Sequence, residues 1–336
     1  TDGAPEEFQL EVETAVAEQG SWAYAYLWSR AGTIYAGSRD GNLYARGAVD
    51  DKGQVWLHLK AFEAWRLAGG PPVNVKMLFE GEEEVGSENL GPFLAAEKAR
   101  LAADAVVVSD SPMFGKDVPS ICYGLRGLAY MQVDVEGASG DLHSGSFGGA
   151  VDNPANARCH IVSRLKDPDG KVLVPGFYDR VRRLTAKERR EIRKLPFTMK
   201  EFLKGAGNPP RAWGEPSFHV LERIWAGPTL EVNGIWGGYQ GEGAKTVLPA
   251  RAGAKISMRL VPDQTPEEIA RKFTTFVKRI APRSVKVTVR HLHGGSAFLC
   301  PTDAPEFQAT ERALKRAFGR KPVLIREGGS IPFTAT

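Results

Sequence analysis

Between residues 43 and 110 the chain switches repeatedly between two hydrophobic periods. Apolar, strand-like runs at 43–49, 73–79 and 105–109 are separated by helix-period runs at 53–67 and 91–102. Strand and helix alternating in this way predict a largely parallel, helix-covered sheet. From about Leu125 the texture changes. Residues 128–135 alternate as a half-buried strand, 153–165 carry helical spacing, and 252–260 and 285–290 are again strand-like. Thr265 as an N-cap and Pro266 at the first helical position open a helix expected over 266–280. This order predicts a separate α+β domain inserted into the first. Residues 166–225 are charged and proline-containing with no strand pattern, and are expected to be helices and loops decorating the insert. After Pro301 the chain returns to the first domain, with a helix at 304–318 and a strand at 322–326. The fold class expected is therefore α/β, with domain limits at 1–124, 125–299 and 300–336.

Each strand-like run of the first domain ends on acid. The run 43–49 leads into Asp50-Asp51-Lys52-Gly53, the run 73–79 into Glu80-Gly81-Glu82-Glu83-Glu84, and the run 105–108 into Ser109-Asp110-Ser111-Pro112. Singly, each has a plainer reading: an N-cap with a first-turn acid, a solvated turn, and a turn residue before Pro112. Together, at three strand exits of one sheet, they converge on the crevice where α/β folds place ligands. Adjacent carboxylates repel one another, and a divalent cation relieves that repulsion. Zinc and manganese accept carboxylate oxygen, and one carboxylate bridging two metals gives the arrangement used in hydrolysis. The chemistry suggested is metal-assisted attack of water on an acyl carbon, which makes the first domain the catalytic one.

Composition narrows the partners. The net charge of +4 on 336 residues is small. The one basic cluster, 180–194, is interleaved with Glu188, Glu191, Val181, Leu184 and Ile192, the pattern of a solvated amphipathic helix. No nucleic-acid partner is expected. No run approaches the roughly 20 apolar residues of a membrane helix, so no membrane partner is expected either. Cys122, Cys159 and Cys300 are three, distant and without CxxC spacing, which argues against a disulfide framework and for a reducing, cytoplasmic setting.

In order along the chain, Leu43-Tyr44-Ala45-Arg46-Gly47-Ala48-Val49-Asp50-Asp51-Lys52-Gly53, Glu80-Gly81-Glu82-Glu83-Glu84-Val85-Gly86-Ser87, Asp141-Leu142-His143-Ser144-Gly145, Ala244-Lys245-Thr246-Val247-Leu248-Pro249, Ser257-Met258-Arg259-Leu260-Val261-Pro262 and Arg326-Glu327-Gly328-Gly329-Ser330-Ile331-Pro332 resemble the dinuclear zinc metallopeptidases that include carnosinase-like dipeptidases, aminoacylases and succinyl-diaminopimelate desuccinylases. The resemblance implies two zinc ions, or manganese, with Asp50 bridging them, Glu84 on one and Asp110 on the other. It implies Glu83 as general base and His143 as the group that reaches the developing oxyanion, often in the partner subunit's active site. It further implies that Thr246, Arg259, His293, Glu327, Gly329 and Ser330 hold the substrate's termini and backbone. The insert would be ferredoxin-like, a dimerisation and lid domain of a homodimer. The expected substrate is a dipeptide or short peptide. An N-acyl amino acid, cleaved with the same machinery, and a metal-free binding protein are the alternatives.

The resemblance also implies a His-X-Asp motif roughly thirty residues before the bridging aspartate and a final metal-binding histidine beyond Gly-Gly-Ser-Ile-Pro. No histidine precedes His58, and none follows Pro332. Ala31-Gly32-Thr33-Ile34 resembles the entry to the strand carrying the first motif, while the residues from Tyr35 to Gly41 resemble a segment well after it. A join at Ile34 and Tyr35, with segments omitted there and at the C-terminal end, is the expectation. His58, His160 and His219 are expected to be packed or surface residues.

Overall fold

The structure is a computed structural model, and it describes residues 36–37, 43–44, 48–83 and 87–331. Two compact units form, Thr1–Pro112 and Met113–Thr336.

In the first unit, β1 (Ala36–Gly37) pairs antiparallel with β2 (Leu43–Tyr44). A wide turn, Ala48–Lys52, follows, in which Asp50 and Asp51 depart from helical φ/ψ and are joined by a cis peptide bond. It feeds α1 (Gly53–Leu67), the helix expected from the sequence. The expected helix at 91–102 is broken at Glu97 into α2 (Leu90–Ala96) and α3 (Lys98–Leu101). The runs 73–79 and 105–109, expected as parallel strands, form no ladder. An apolar run marks a segment that suits a buried sheet, but a strand exists only when a neighbour takes its amides and carbonyls. Here Val73, Val106 and Val107 stay well exposed. Lys76 instead donates to the Arg100 and Ala102 carbonyls at 2.6 and 2.7 Å, satisfying acceptors at the end of α3.

The second unit holds two sheets. β3 (Ser120–Leu125), β10 (Phe298–Leu299) and β11 (Val323–Glu327) form a mixed sheet in the order β10-β3-β11, with β11 parallel to β3. This is the one parallel pair among the described residues, so the largely parallel sheet expected of the catalytic domain is not what they build. β4 (Gly127–Glu136), β6 (Thr229–Gly237), β8 (Arg251–Leu260) and β9 (Lys286–Gly295) form an antiparallel sheet in the order β6-β8-β4-β9. A two-stranded piece pairs β5 (Leu142–His143) with β7 (Val247–Leu248). The helices are α4 (Ser144–Phe147), α5 (Pro154–Ser163), α6 (Ala186–Arg193), α7 (Met199–Gly205), α8 (Val220–Ala226), α9 (Pro266–Ile280) and α10 (Pro305–Phe318).

The four-stranded sheet, α5 and α9 follow one another as βαββαβ, a split-βαβ topology. Period-2 burial drives it. Ala129, Met131, Val133 and Val135 turn inward from β4, as do Ile256, Met258 and Leu260 from β8. They meet Ile161 from α5 and Ile269, Phe273 and Val277 from α9. Each such side chain contributes about 1.5–3 kcal/mol by leaving water. Thr265 Oγ accepts from Glu268 N and Pro266 opens α9, as the sequence predicts. The other face of the sheet stays polar. A second core forms where α6 and α8 cover β11: Ile192, Leu195, Leu221, Trp225 and Ile325. The segment 166–225 does hold helices and loops, with α6 started by a Thr185/Glu188 capping box.

Candidate active site

The acidic candidates lie in the first unit. Asp50 is exposed and Asp51 half-buried at the turn before α1. The Asp51 carboxyl is pushed above its ordinary range, first by burial and then by the negative charges of Asp110 and Asp50, with His58 opposing. Three carboxylates therefore share one locale. Hard carboxylate oxygens are the donor type a divalent cation takes, but the spacing among the described residues does not close round one. Among the described residues, no group of three or more His, Cys, Asp or Glu gathers closely enough to hold a metal ion. Glu84, the third implied ligand, lies outside the described residues. Within the acidic run the roles divide. Glu82 is structural, accepting from Asn89 Nδ2 at 2.8 and 2.9 Å and closing the turn before α2. Glu80 has one carboxylate oxygen buried and without a hydrogen bond. Glu83 is exposed.

The remaining candidates lie in the second unit. His143 ends β5, and its neighbour across the pair, Val247, follows Thr246. Gly145 N donates to His143 Nδ1 at 3.1 Å, and Thr246 Oγ1 lies 3.2 Å from Nε2. An Nδ1 that accepts leaves Nε2–H as the donor towards the threonine. A Cβ at position 145 would come within 2.9 Å of His143 Cε1, which is why glycine follows. Asp141 fixes the other end by accepting from Ala250 N at 2.9 Å.

Arg259, Leu128 and Gly295 form one row across the polar face of the four-stranded sheet, and Ser257, Tyr130 and His293 the next. Arg259 thus faces away from buried Met258 and Leu260, as alternation requires. Its Nη1 donates to Ser330 Oγ at 2.8 Å. Burial lowers the Arg259 proton affinity, and no carboxylate among the described residues offsets it. His293 stacks on Tyr130, ring centres 5.1 Å apart and planes 15° from parallel. Glu327 closes β11, and Gly328-Gly329-Ser330 continues from it. The structure therefore brings His143 to Thr246 and Arg259 to Ser330. Two neighbours escaped sequence reasoning. Tyr130 is invisible as an ordinary strand residue, whereas Arg126, a lone charge between Leu125 and Gly127, carried a signal.

A profile of the peptidase family M20/M25/M40 matches residues 24–335. The chain is 36% identical to a Cys-Gly metallodipeptidase of Schizosaccharomyces pombe, over 97% of this chain and 68% of that protein. It is 33% identical to the Beta-Ala-His dipeptidase of Homo sapiens, over 87% of this chain and 59% of the relative. Among solved structures, human carnosine dipeptidase 1 superposes with a TM-score of 0.77 at 32% identity, covering 90% of this chain and 66% of that one. The chain spans about three fifths to two thirds of the length of these relatives.

Proposed function

The chain belongs to peptidase family M20/M25/M40, and from that premise we propose that it hydrolyses the amide bond of dipeptides in a metal-dependent reaction. The observation that carries the reading is Arg259. A half-buried guanidinium, facing no carboxylate among the described residues and steadied by Ser330, is a receptor for an external anion. A dipeptide's terminal carboxylate has the charge and shape to fill it.

Asp50, Glu84 and Asp110 would hold two zinc ions, or manganese. When bound, the metal supplies a more acidic water and polarises the scissile carbonyl. Glu83 takes the proton from the attacking water and passes it to the leaving amine. His143 Nε2–H, set by the Gly145 amide and paired with Thr246 Oγ1, donates to the oxyanion as it develops. Arg259 and Ser330 bind the carboxylate, while His293, steadied by Tyr130, and Glu327 and Gly329 orient the substrate backbone. Residues 1–124 and 300–336 would form the catalytic domain, with 125–299 as the ferredoxin-like dimerisation and lid domain of a homodimer. The three cysteines are free, which supports a reducing compartment such as the cytoplasm. Among the described residues, no helix is long and apolar enough to cross a membrane.

The test joins metal analysis to a substrate panel. With zinc or manganese bound, a dipeptide should be cleaved about 10–100-fold better than its C-terminal amide, the worth of one hydrogen-bonded charge. Glu83→Gln should keep the metal and lose most turnover. Equal cleavage of acid and amide would remove Arg259 from substrate binding. Preference for acyl amino acids would make the chain a deacylase, and absence of both metal and turnover would leave a binding protein.

A further inference from the structure

Arg126 occupies the single position between β3 and β4, and none of the roles above uses it. Arg126 is half-buried, and its side-chain bonds go to main-chain carbonyls, with the Glu231 carboxylate acting on it only through space: Nε donates to the Gly328 carbonyl at 3.2 Å and Nη1 to the Gly227 carbonyl at 3.3 Å. Its backbone N–H donates to the Gly329 carbonyl at 3.1 Å. Side chain and main chain of one residue thus grip two successive carbonyls of the segment that presents Ser330. The fit is close. A Cβ at position 328 would lie 2.7 Å from Arg126 Nη2 and 3.1 Å from the Ile224 carbonyl, so any larger residue there would push the guanidinium aside. The residue after Arg126 is packed as tightly, because a Cβ at position 127 would lie 2.5 Å from the Gly295 carbonyl.

The cost of this placement is visible. Burial, followed by the like charge of Arg259, pushes the Arg126 guanidinium down to about 10. A neutral side chain would fill the space without that cost. A guanidinium supplies two things a neutral residue does not, a rigid fork matched to carbonyls and a second positive charge beside Arg259.

We propose that Arg126 is a positioning residue for carboxylate recognition: it clamps Gly328-Gly329-Ser330 so that Ser330 Oγ meets Arg259, and its charge adds to the field that attracts the anion. This rests on the reading that Arg259 binds the substrate's terminal carboxylate.

The experiment measures binding of glycylglycine and of its C-terminal amide by calorimetry, in the full chain carrying Glu83→Gln so that turnover is suppressed. Arg126→Lys keeps the charge and loses the fork. It should weaken binding of the acid about ten-fold and leave the amide within two-fold. Gly328→Ala, which lifts the segment off the guanidinium, should do the same. Hydrogen exchange at the amides of 328–331 should quicken at least ten-fold in both variants while the β4, β8 and β9 amides keep their protection. A merely structural role would weaken acid and amide alike and loosen the sheet with the loop, and that result overturns the proposal. Acid preference and loop protection both retained in Arg126→Lys overturns it as well. If the chain without these substitutions shows no acid preference, the reading of Arg259 fails first and the proposal falls with it.

Discussion

At the scale of single residues, burial separates groups that the sequence leaves equivalent. Cys122, Cys159 and Cys300 look alike in the chain. Burial pushes the Cys122 thiol up to about 11 and also raises Cys300, whereas Cys159 is exposed on α5. A raised thiol pKa means less thiolate at a given pH, and thiolate is the form that reacts. At pH 8 Cys122 holds about a thousandth of its thiol as thiolate. Iodoacetamide at that pH should therefore label Cys159 first. Labelling of Cys122 should rise about ten-fold per pH unit up to about 11. Peptide mass spectrometry over a time course checks the order, and equal labelling at pH 8 would contradict the burial of Cys122. The same logic governs His143. Its sequence context marks it as a candidate, but only the Gly145 amide on Nδ1 decides which nitrogen carries the proton.

At the scale of elements, the central strand β8 shows how close packing dictates sequence. A Cβ on Gly253 would stand 2.1 Å from the Trp236 ring and 2.7 Å from the Val133 carbonyl. Gly253→Ala should cost about 1–3 kcal/mol through forced displacement of the indole, read as a lowered denaturation midpoint. Trp236→Leu in the same chain should recover part of that loss, and no loss in the single variant would mean the ring has room to move. The elements that were legible in the sequence are those whose information is local. α9 announces itself through Thr265, Pro266 and a strong apolar stripe, and β4 through strict alternation. α1 was equally plain, although none of its side chains is buried. The expected strands at 73–79 and 105–109 failed because pairing is a property of two segments, and periodicity describes one. β3 and β6 went unremarked for the opposite reason: Gly124 and Gly234 interrupt their apolar pattern, yet β3 is held between β10 and β11, and β6, at the edge, is paired along its length with β8. The site divides similarly. Motif residues such as His143 and Arg259 could be named from their neighbours in sequence, Arg126 stood out only as a lone charge between Leu125 and Gly127, and Tyr130 acquires a role only through what it touches.

At the scale of the molecule, the second unit carries both hydrophobic cores seen among the described residues, every member of which lies beyond residue 112. A chain beginning at Met113 should therefore fold by itself and melt in one cooperative thermal transition, with near-ultraviolet circular dichroism reporting fixed aromatic packing. A broad, non-cooperative melt would mean that these cores depend on the first unit. The order in which this unit is made adds a last consequence. Arg126 meets carbonyls 101 and 202 residues further along. While a ribosome builds that stretch, the guanidinium has only water to bond, and closing so long a loop is slow. The grip on Gly328 must therefore wait until the 202 residues after Arg126 have been made. Until then the turn that carries Ser330 lacks the clamp that fixes its backbone, although β4, β6, β8 and β9 have all been made.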